Sequence, residues 1–322
     1  MSPSRTVLIT GGTAGLGKHT AQEIAQAGWR VVITSRSADS AEKAAQQIRK
    51  DTGNNEVHAV PLDLADLQSV RKLPEHLKRL NLLPLQALIA NAGLQYGNPH
   101  QRTRDGFEAT FGTNHLGHVL LLHRLLPHLE QEARLILVSS GTHDPRSGGG
   151  YPPPYDLPAA DLAHARLPEK DSARRQAMRL YSTSKLANLQ TALHLARTFK
   201  NQGITVHAFD PGLMPETGLF RDHPAFLQLI FRLGTSLLPT LFPDFASTAR
   251  RSGRHLALLV TDPGYATSTG QYFTQGGRRP RALPIEPSDL ARDAQKAERL
   301  WKDSLTLVGE KAVQNTGALQ QF

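Results

Sequence analysis

Tyr181 and Lys185 are the most informative residues of this chain, because a tyrosine and a lysine at this spacing can take part in acid–base chemistry. Four positions apart on a helix, their side chains would lie on one face. A free tyrosine has a pKa of about 10 and is a poor proton-transfer group at neutral pH. A cation held beside it favours the phenolate and lowers that pKa. The pair predicts a proton-transfer site, although the same spacing also occurs on solvated helix surfaces.

A glycine-rich segment near the N-terminus, residues 10–17, supports a chemical role for that pair. Gly11, Gly15 and Gly17 follow the apolar run 7–9 and precede a helical pattern. Glycines let the backbone turn sharply beside a pyrophosphate, and the N-terminus of the next helix offers free N–H groups and a positive dipole end. The segment predicts a dinucleotide-binding site; a tight turn without a ligand is the alternative.

Short apolar strands alternate with helical segments through most of the chain. The pattern predicts helices that include 37–50 and 107–130, and strands at 7–9, 31–33, 57–60, 87–90, 134–138 and 205–209. Such alternation indicates a parallel sheet covered by helices on both faces. The predicted fold class is α/β, a single Rossmann-type doubly wound domain over residues 1–322. Ligands of this fold sit beyond the carboxyl ends of the strands, where five polar or glycine residues fall: Gly11, Arg36, Asp63, Asn91 and Ser140.

Composition narrows the function classes. The 322 residues contain no cysteine, which excludes disulfides, thiolate metal sites and cysteine nucleophiles and fits a reducing, cytoplasmic compartment. Residues 1–5 run directly into a strand and leave no room for a signal peptide, and no apolar run is long enough to span a bilayer. The net charge of +9 comes from scattered basic residues without interleaved aromatics, so no nucleic-acid partner is expected.

Arg36 indicates which dinucleotide would bind. The second strand ends at Thr34, Ser35 and Arg36, with no acidic residue there. An Asp or Glu at that place would hold the adenosine ribose hydroxyls and repel a 2′-phosphate, whereas an arginine offers a planar cation suited to that phosphate. We expect NADP(H) rather than NAD(H), with a solvated surface arginine as the alternative.

These segments together resemble the short-chain dehydrogenase/reductase family over nearly the entire chain. The shared motifs, in order, are residues 10–17, Asp63-Leu64, Asn91-Ala92-Gly93, Asn114, Ser139-Ser140, Tyr181 to Lys185, and Pro211-Gly212 with Thr217. The resemblance implies a cofactor site formed by Gly11, Thr13, Gly15, Leu16, Gly17, Arg36, Asp63, Leu64, Asn91, Ala92, Gly93, Tyr181, Lys185, Pro211, Gly212 and Thr217. Helix capping for Asp63 and plain turns for the other loop motifs are the alternatives.

The resemblance also implies the catalytic roles. Tyr181 exchanges a proton with the substrate oxygen, Lys185 lowers the pKa of Tyr181 and binds the nicotinamide ribose, and Ser140 orients the substrate carbonyl. Ser139 is the alternative candidate for the role given to Ser140. Asn114 would hold a water that connects Lys185 to solvent, with a structural mid-helix role as the alternative. Dimers or tetramers are common in the family, so a homo-oligomer fits the resemblance.

Two branches of the family are the most similar. Residues 13–18 and 181–188 are similar to the retinol dehydrogenase-like group, whereas residues 211–221 and 294–309 look like light-dependent protochlorophyllide reductase. That reductase is expected to use substrate-site cysteines, which this chain lacks. The expected function is therefore an NADP(H)-dependent oxidoreductase of an alcohol–carbonyl pair. A double-bond reductase and a non-catalytic NADP-binding sensor or scaffold are the alternatives.

Three regions elaborate the predicted domain: a flap at 141–178, a lid at 213–245 and a C-terminal extension at 275–322. The flap contains Gly148 to Tyr155, which looks too irregular for a strand or helix; a surface excursion unrelated to chemistry is its alternative. The lid is rich in Phe and Leu and suggests a small-molecule substrate that is an apolar carbonyl or alcohol compound, such as a retinoid, a steroid or a long aldehyde. A subunit contact or a membrane-surface patch would use the same residues.

His115 and His118 have a spacing seen in metal sites. No carboxylate or cysteine nearby completes a ligand shell, so packing inside the helix is the favoured interpretation and no metal is expected.

Overall fold

The fold is an eight-stranded sheet between two layers of helices. The computed structural model describes residues 5–147, 150–168, 170–214, 242–243 and 246–311. The strand order is β3-β2-β1-β4-β5-β6-β7-β8, parallel except for the antiparallel edge strand β8. The strands are β1 (Thr6–Thr10), β2 (Arg30–Ser35), β3 (Val57–Pro61), β4 (Leu85–Ala90), β5 (Leu129–Val138), β6 (Thr205–Asp210), β7 (Gln271–Thr274) and β8 (Leu283–Ile285).

The helices connect the parallel strands. The described ones are α1 (Gly15–Gln26), α2 (Ala38–Thr52), α3 (Leu67–Arg79), α4 (Ala109–Phe111), α5 (Gly117–Leu125), α6 (Ala159–Ala163), α7 (Ala173–Thr198), α8 (Ala249–Thr261), α9 (Asp289–Arg292) and α10 (Ala294–Leu307). A π-helical turn, Gly112–Leu116, joins α4 to α5. Such turns insert one extra residue per turn and are frequent at functional sites.

Each sheet face has its own hydrophobic core. Val7 and Ile9 of β1 pack in the cluster that contains α1, α2 and α8, whereas Leu8 packs in the cluster that contains α3, α5, α7 and α10. Side chains of a strand alternate between faces, so a strand with all five residues buried, like β1, must be covered on both. This arrangement confirms the predicted Rossmann-type doubly wound fold.

The predicted helix over 107–130 is wrong at both ends. The helical stretch begins at Ala109 and ends at Leu125, followed by a 3₁₀ turn, Leu126–His128, and strand β5 starts at Leu129. Pro127 has no N–H to continue an α-helical ladder, which explains the early end. The apolar residues beyond it belong to β5, where pairing with β4 shifts register between Leu85 and Ala87.

The structure describes part of each of the three predicted elaborations, the flap, the lid and the C-terminal extension. Within the predicted flap at 141–178, residues 150–155 form neither helix nor strand, as the sequence predicts, while α6 and the first turns of α7 come later in it. In the predicted lid at 213–245 only residues 213, 214, 242 and 243 are described; Leu213 bridges to Ala246 just beyond it. The predicted extension at 275–322 supplies β8, α9 and α10 as far as residue 311. The strand β7 and helix α8 were not predicted.

A buried carboxylate begins the helical stretch that leads to Asn114. Glu108 is fully buried and accepts hydrogen bonds from the N–H groups of Thr110 at 2.9 Å and Phe111 at 2.7 Å. Burial raises the pKa of Glu108 to about 6, and these hydrogen bonds oppose that shift only in part.

We expect the pKa of Glu108 to appear in the pH dependence of stability. A carboxyl whose folded pKa is raised binds more protons in the folded state, so its contribution to stability falls as pH rises from 4.5 through 6. Relative to the wild type, Glu108→Gln should therefore gain roughly 1 kcal/mol of unfolding free energy between pH 5 and pH 7. Urea unfolding of both proteins at the two pH values measures this. A pH-independent difference between them would contradict the assignment.

Candidate functional site

A cavity of about 960 Å³ lies along the carboxyl ends of the parallel strands. It brings together sixteen of the residues that the sequence predicts: Gly11, Thr13, Gly15, Leu16, Gly17, Arg36, Asp63, Leu64, Asn91, Ala92, Gly93, Ser140, Tyr181, Lys185, Pro211 and Gly212. Asn114 is fully buried behind the lining, and Thr217 lies outside the described residues. The carboxyl-end location is where doubly wound folds bind ligands.

The N-terminus of α1 opens into this cavity without a side-chain cap. Gly11 and Gly15 have φ of 66° and 50°, values that glycine adopts without strain. Ala14 is the N-cap residue and makes no side-chain hydrogen bond, and the first turn contains no acidic residue. By contrast, Ser37 caps α2, Asp66 caps α3 and Ser172 caps α7. The free N–H groups and dipole end of α1 are therefore available to an anion.

Arg36 follows strand β2 directly. It is exposed, it lines the cavity at the end of β2, and it has no ion-pair partner among the residues that the structure describes. The neighbouring Ser37 is occupied as the cap of α2, where its Oγ accepts from the N–H of Ser40 at 3.2 Å. An unpaired guanidinium at this place fits a phosphate group.

The loops after β1, β3 and β4 are held by their own side chains. Asn91 Nδ2 donates to the carbonyl of Thr10 at 2.7 Å, and this bond joins the end of β4 to the glycine turn. Asp63 Oδ1 accepts from the N–H of Ala65 at 3.0 Å, while Asp66, rather than Asp63, caps α3. A Cβ added at Gly17 would lie 2.3 Å from the carbonyl oxygen of Gly11, so this position needs glycine. The turn is rigid, and its shape is fixed by packing.

Tyr181 and Lys185 lie on the same face of α7, as their spacing predicts. Both are nearly fully buried and both line the cavity. Lys185 Nζ lies 5.6 Å from the centroid of the Tyr181 ring and 3.5 Å from the carbonyl oxygen of Val138. A Cβ added at Gly93 would come within 3.3 Å of the ammonium group, so the loop after β4 closes over it.

Burial dominates the pKa values of this pair. Burial raises the pKa of Tyr181, with smaller rises from the nearby Tyr151 and Asp210, while the Ser140 hydroxyl acts to lower it. Burial lowers the pKa of Lys185 to about 8, and the Asp210 carboxylate opposes this shift. Lys185 is not among the groups that shift the pKa of Tyr181 in this structure, so the expected lowering of that pKa by Lys185 stays a prediction.

The two serines after β5 have different surroundings. Ser139 is buried, and its Oγ donates to the carbonyl of Lys185 at 2.8 Å. Ser140 is half-buried, lines the cavity, and its Oγ accepts from the N–H of Thr142 at 3.3 Å. The Ser140 hydroxyl therefore interacts with Tyr181, whereas the Ser139 hydroxyl is used in its bond to the carbonyl of Lys185.

Asn114 sits in the π-helical turn with its carboxamide fully bonded. Its Oδ1 accepts from the N–H of Leu94 at 2.9 Å, and its Nδ2 donates to the Leu94 carbonyl at 2.8 Å and to Ser184 Oγ at 3.0 Å. These bonds agree with the structural alternative for this residue. The predicted role of holding a water beside Lys185 stays a prediction.

Asp210 is the site residue that the sequence reasoning missed. It ends β6, lines the cavity, and accepts a hydrogen bond from the N–H of Gly212 at 2.9 Å. Burial raises its pKa, and His143 and Lys185 oppose that rise. The same rule that selected the other residues, a polar side chain at the carboxyl end of a strand, would have selected this one.

His115 and His118 are buried in the helix packing. His118 Nε2 lies 2.9 Å from Thr10 Oγ1 and its Nδ1 lies 2.9 Å from the carbonyl oxygen of Asn114. His115 Nε2 lies 2.9 Å from Ser304 Oγ of α10. Burial lowers the pKa of His115 to about 3 and that of His118 to about 4. Within the described ranges, no three His, Asp or Glu side chains are grouped as metal ligands.

Comparison with known proteins identifies the family. Residues 5–150 match the family model described as short chain dehydrogenase. Human retinol dehydrogenase 12 is 36% identical over 95% of this chain and 87% of its own length. The chloroplastic protochlorophyllide reductase of Chlamydomonas reinhardtii is 33% identical over 96% of this chain and 79% of its own length.

The fold is also similar to that of a solved short chain dehydrogenase. A short chain dehydrogenase from Burkholderia cenocepacia, solved in complex with NADP, superposes with a TM-score of 0.60 at 23% identity, covering 84% of this chain and 95% of the other. None of the helices that the structure describes is both long and apolar enough to cross a bilayer. With a matching family model and relatives similar over almost all of its length, the chain belongs to the short-chain dehydrogenase family of oxidoreductases.

Proposed function

We propose that this chain is an NADP(H)-dependent oxidoreductase that interconverts an alcohol and a carbonyl on a hydrophobic substrate. One observation carries the proposal: Tyr181, Lys185 and Ser140 line the same cavity as the uncapped N-terminus of α1 and Arg36. A proton-transfer site and an anion site in one cavity fit a reaction on a bound dinucleotide. The named relatives, a retinol dehydrogenase and a reductase, agree with this chemistry.

The cofactor residues fit NADP(H) from end to end. The pyrophosphate would lie at the N-terminus of α1, where Gly11, Gly15 and Gly17 let the backbone approach it. Arg36 would hold the 2′-phosphate, and Asp63 and Asn91 would border the adenosine. Pro211 and Gly212 would flank the nicotinamide, where Gly212 adopts a φ of 72°. The bound cofactor supplies or accepts the hydride.

The residues of this chain would supply the proton and the orientation. Tyr181 would exchange its phenolic proton with the substrate oxygen, and Ser140 would donate a hydrogen bond to that oxygen as charge develops on it. Lys185 would hold the nicotinamide ribose with its ammonium group. Tyr181 and Lys185 are nearly fully buried, and interactions between charges are stronger in a medium of low dielectric than in water.

Reduction of a carbon–carbon double bond is the competing function. The similarity to protochlorophyllide reductase supports it, since that identity is nearly as high as the identity to retinol dehydrogenase. The absence of cysteine from this chain speaks against that mechanism. Analysis of the products of an unsaturated aldehyde distinguishes the two, because only an alcohol–carbonyl enzyme returns the unsaturated alcohol.

We expect Tyr181→Phe to keep cofactor binding and to lose turnover. The ring still packs in its buried place, whereas the proton donor is gone, so kcat should fall by roughly 10²- to 10⁴-fold. The dissociation constant of NADPH, measured by fluorescence titration, should change by less than about threefold. A variant that keeps most of the wild-type rate would remove Tyr181 from the mechanism.

Ser140→Ala and Ser139→Ala form a matched pair. Removing a donor to a developing oxyanion should lower kcat of Ser140→Ala by roughly 10²- to 10³-fold. Ser139→Ala loses one buried hydrogen bond to the helix that carries Lys185, so it should lose about 1 kcal/mol of stability with a smaller effect on kcat. Steady-state kinetics and urea unfolding of both variants test this. The reverse pattern would make Ser139 the residue that acts on the substrate.

Arg36→Ala should weaken the preference for NADP(H). Loss of a charge-assisted contact to the 2′-phosphate should lower kcat/KM for NADPH by roughly 10- to 100-fold and leave the value for NADH nearly unchanged. Lys50→Ala in the last turn of α2 removes the same charge away from the cavity and serves as the control. A preference for NADH in the wild type that survives in Arg36→Ala would reject NADP(H) as the cofactor.

A further inference from the structure

The flap between β5 and α7 brings an aromatic ring against the catalytic tyrosine. The rings of Tyr151 and Tyr181 lie with their centroids 5.6 Å apart and are tilted by 45°. Tyr151 is half-buried and lines the same cavity as Ser140 and Lys185. The alternative of a surface excursion unrelated to chemistry does not fit this position. The flap forms part of the site.

The hydroxyl group of Tyr151 is already used within the protein. It donates to Gln95 Oε1 at 2.8 Å, and Gln95 lies in the loop after β4, also on the cavity lining. Tyr151 therefore extends from the flap on one side of the cavity to the β4 loop on the other. Because its single O–H donor is occupied, Tyr151 offers a ligand the face and edge of its ring.

The chain after Tyr151 is fastened to the helix that carries Tyr181. The N–H of Tyr155 donates to Thr183 Oγ1 at 2.8 Å, and Arg179 Nε donates to the carbonyl of Pro153 at 2.9 Å. The Arg179 guanidinium also lies 3.9 Å from the centroid of the Tyr155 ring. The three prolines at 152–154 have a restricted φ.

These contacts fix the distance between the two rings. Arg179 and Thr183 lie on either side of Tyr181 along α7, so the flap is attached within one turn of the catalytic residue. A ring held in place before a ligand arrives loses little conformational freedom on binding. The full energy of a contact between the Tyr151 ring and a substrate would then appear in kcat/KM.

We propose that Tyr151 is a specificity-determining residue, whose ring forms a wall of the substrate site and favours carbonyl compounds with an aromatic or conjugated group attached. The proposal rests on the function proposed above. A substrate whose carbonyl oxygen meets Tyr181 and Ser140 must place the adjoining group beside Tyr151. Aromatic rings attract one another at centroid distances of about 4.5–7 Å, and a saturated ring of similar size lacks that quadrupole attraction.

The test compares two aldehydes of similar size, benzaldehyde and cyclohexanecarbaldehyde, with NADPH as the reductant. The ratio of their kcat/KM values is measured for the wild type and for Tyr151→Leu. The intrinsic reactivities of the aldehydes cancel when the two ratios are compared, so only the effect of the ring remains. We expect the ratio to shift by roughly 2- to 10-fold towards the saturated aldehyde in Tyr151→Leu.

Two variants separate the ring from its hydrogen bond. Tyr151→Phe and Gln95→Leu each remove the bond between residues 151 and 95 and keep an aromatic ring at 151, so each should shift the ratio in the same direction but less than Tyr151→Leu. The double variant should shift the ratio by the same amount as each single variant, because all three variants lose the same hydrogen bond. NADPH titration of every variant checks that the cofactor site is intact.

The outcomes distinguish the two proposals. If the wild type reduces neither aldehyde nor any member of a wider carbonyl panel, the proposed function fails and this inference fails with it. If the wild type reduces both aldehydes and their ratio is the same in Tyr151→Leu, the proposed function stands and this inference alone is overturned. Should Tyr151→Leu not fold, Tyr151→Met, which also removes the ring, is measured in its place, and an unchanged ratio there overturns the inference equally.

Discussion

The attachment of helix α7 to the end of strand β5 is the constraint on which the site depends. Ser139 Oγ donates to the carbonyl of Lys185 at 2.8 Å, and Asn188 Nδ2 donates to the carbonyl of Val138 at 3.3 Å. All four residues are buried, so each lost bond would leave a polar group unpaired in a medium of low dielectric. The bonds set the rotation of α7 about its axis, and that rotation turns its reactive face towards the cavity rather than into the core.

A second connection links the cofactor turn to the same region. Thr10 Oγ1 accepts from the N–H groups of Asn91 and Ala92, each at 2.9 Å, and bonds to His118, which in turn bonds to the carbonyl of Asn114. Since burial lowers the pKa of His118 to about 4, its ring is neutral at physiological pH. One ring nitrogen then donates to the Asn114 carbonyl, and the other accepts from Thr10. The glycine turn and the π-helical turn are thereby held in one arrangement.

Burial is also what makes the site electrostatically unusual. Tyr181, Lys185 and Asp210 are three ionisable groups that line one cavity. Burial shifts the pKa of each in the direction that favours the neutral form of the group. Lys185 and Asp210 partly oppose these shifts in each other, since each acts on the pKa of the other against the effect of burial. A site that is shielded from water and carries such groups is where proton transfer gains most from fixed dipoles and charges. The flap contributes to this shielding through Tyr151.

Local patterns in the sequence predict the strand–helix alternation, the polar and glycine residues at the carboxyl ends of the strands, and the shared helix face of Tyr181 and Lys185. Each follows from local periodicity or from a turn that only glycine allows, and these are properties of neighbouring residues. The tertiary structure determines that burial raises the pKa of Tyr181, that the Ser139 hydroxyl bonds to the carbonyl of Lys185, and that the Tyr151 ring lies against the Tyr181 ring. Those outcomes depend on contacts between residues far apart in the chain, such as Tyr151 with Gln95 and Tyr155 with Thr183, and no periodic pattern encodes them.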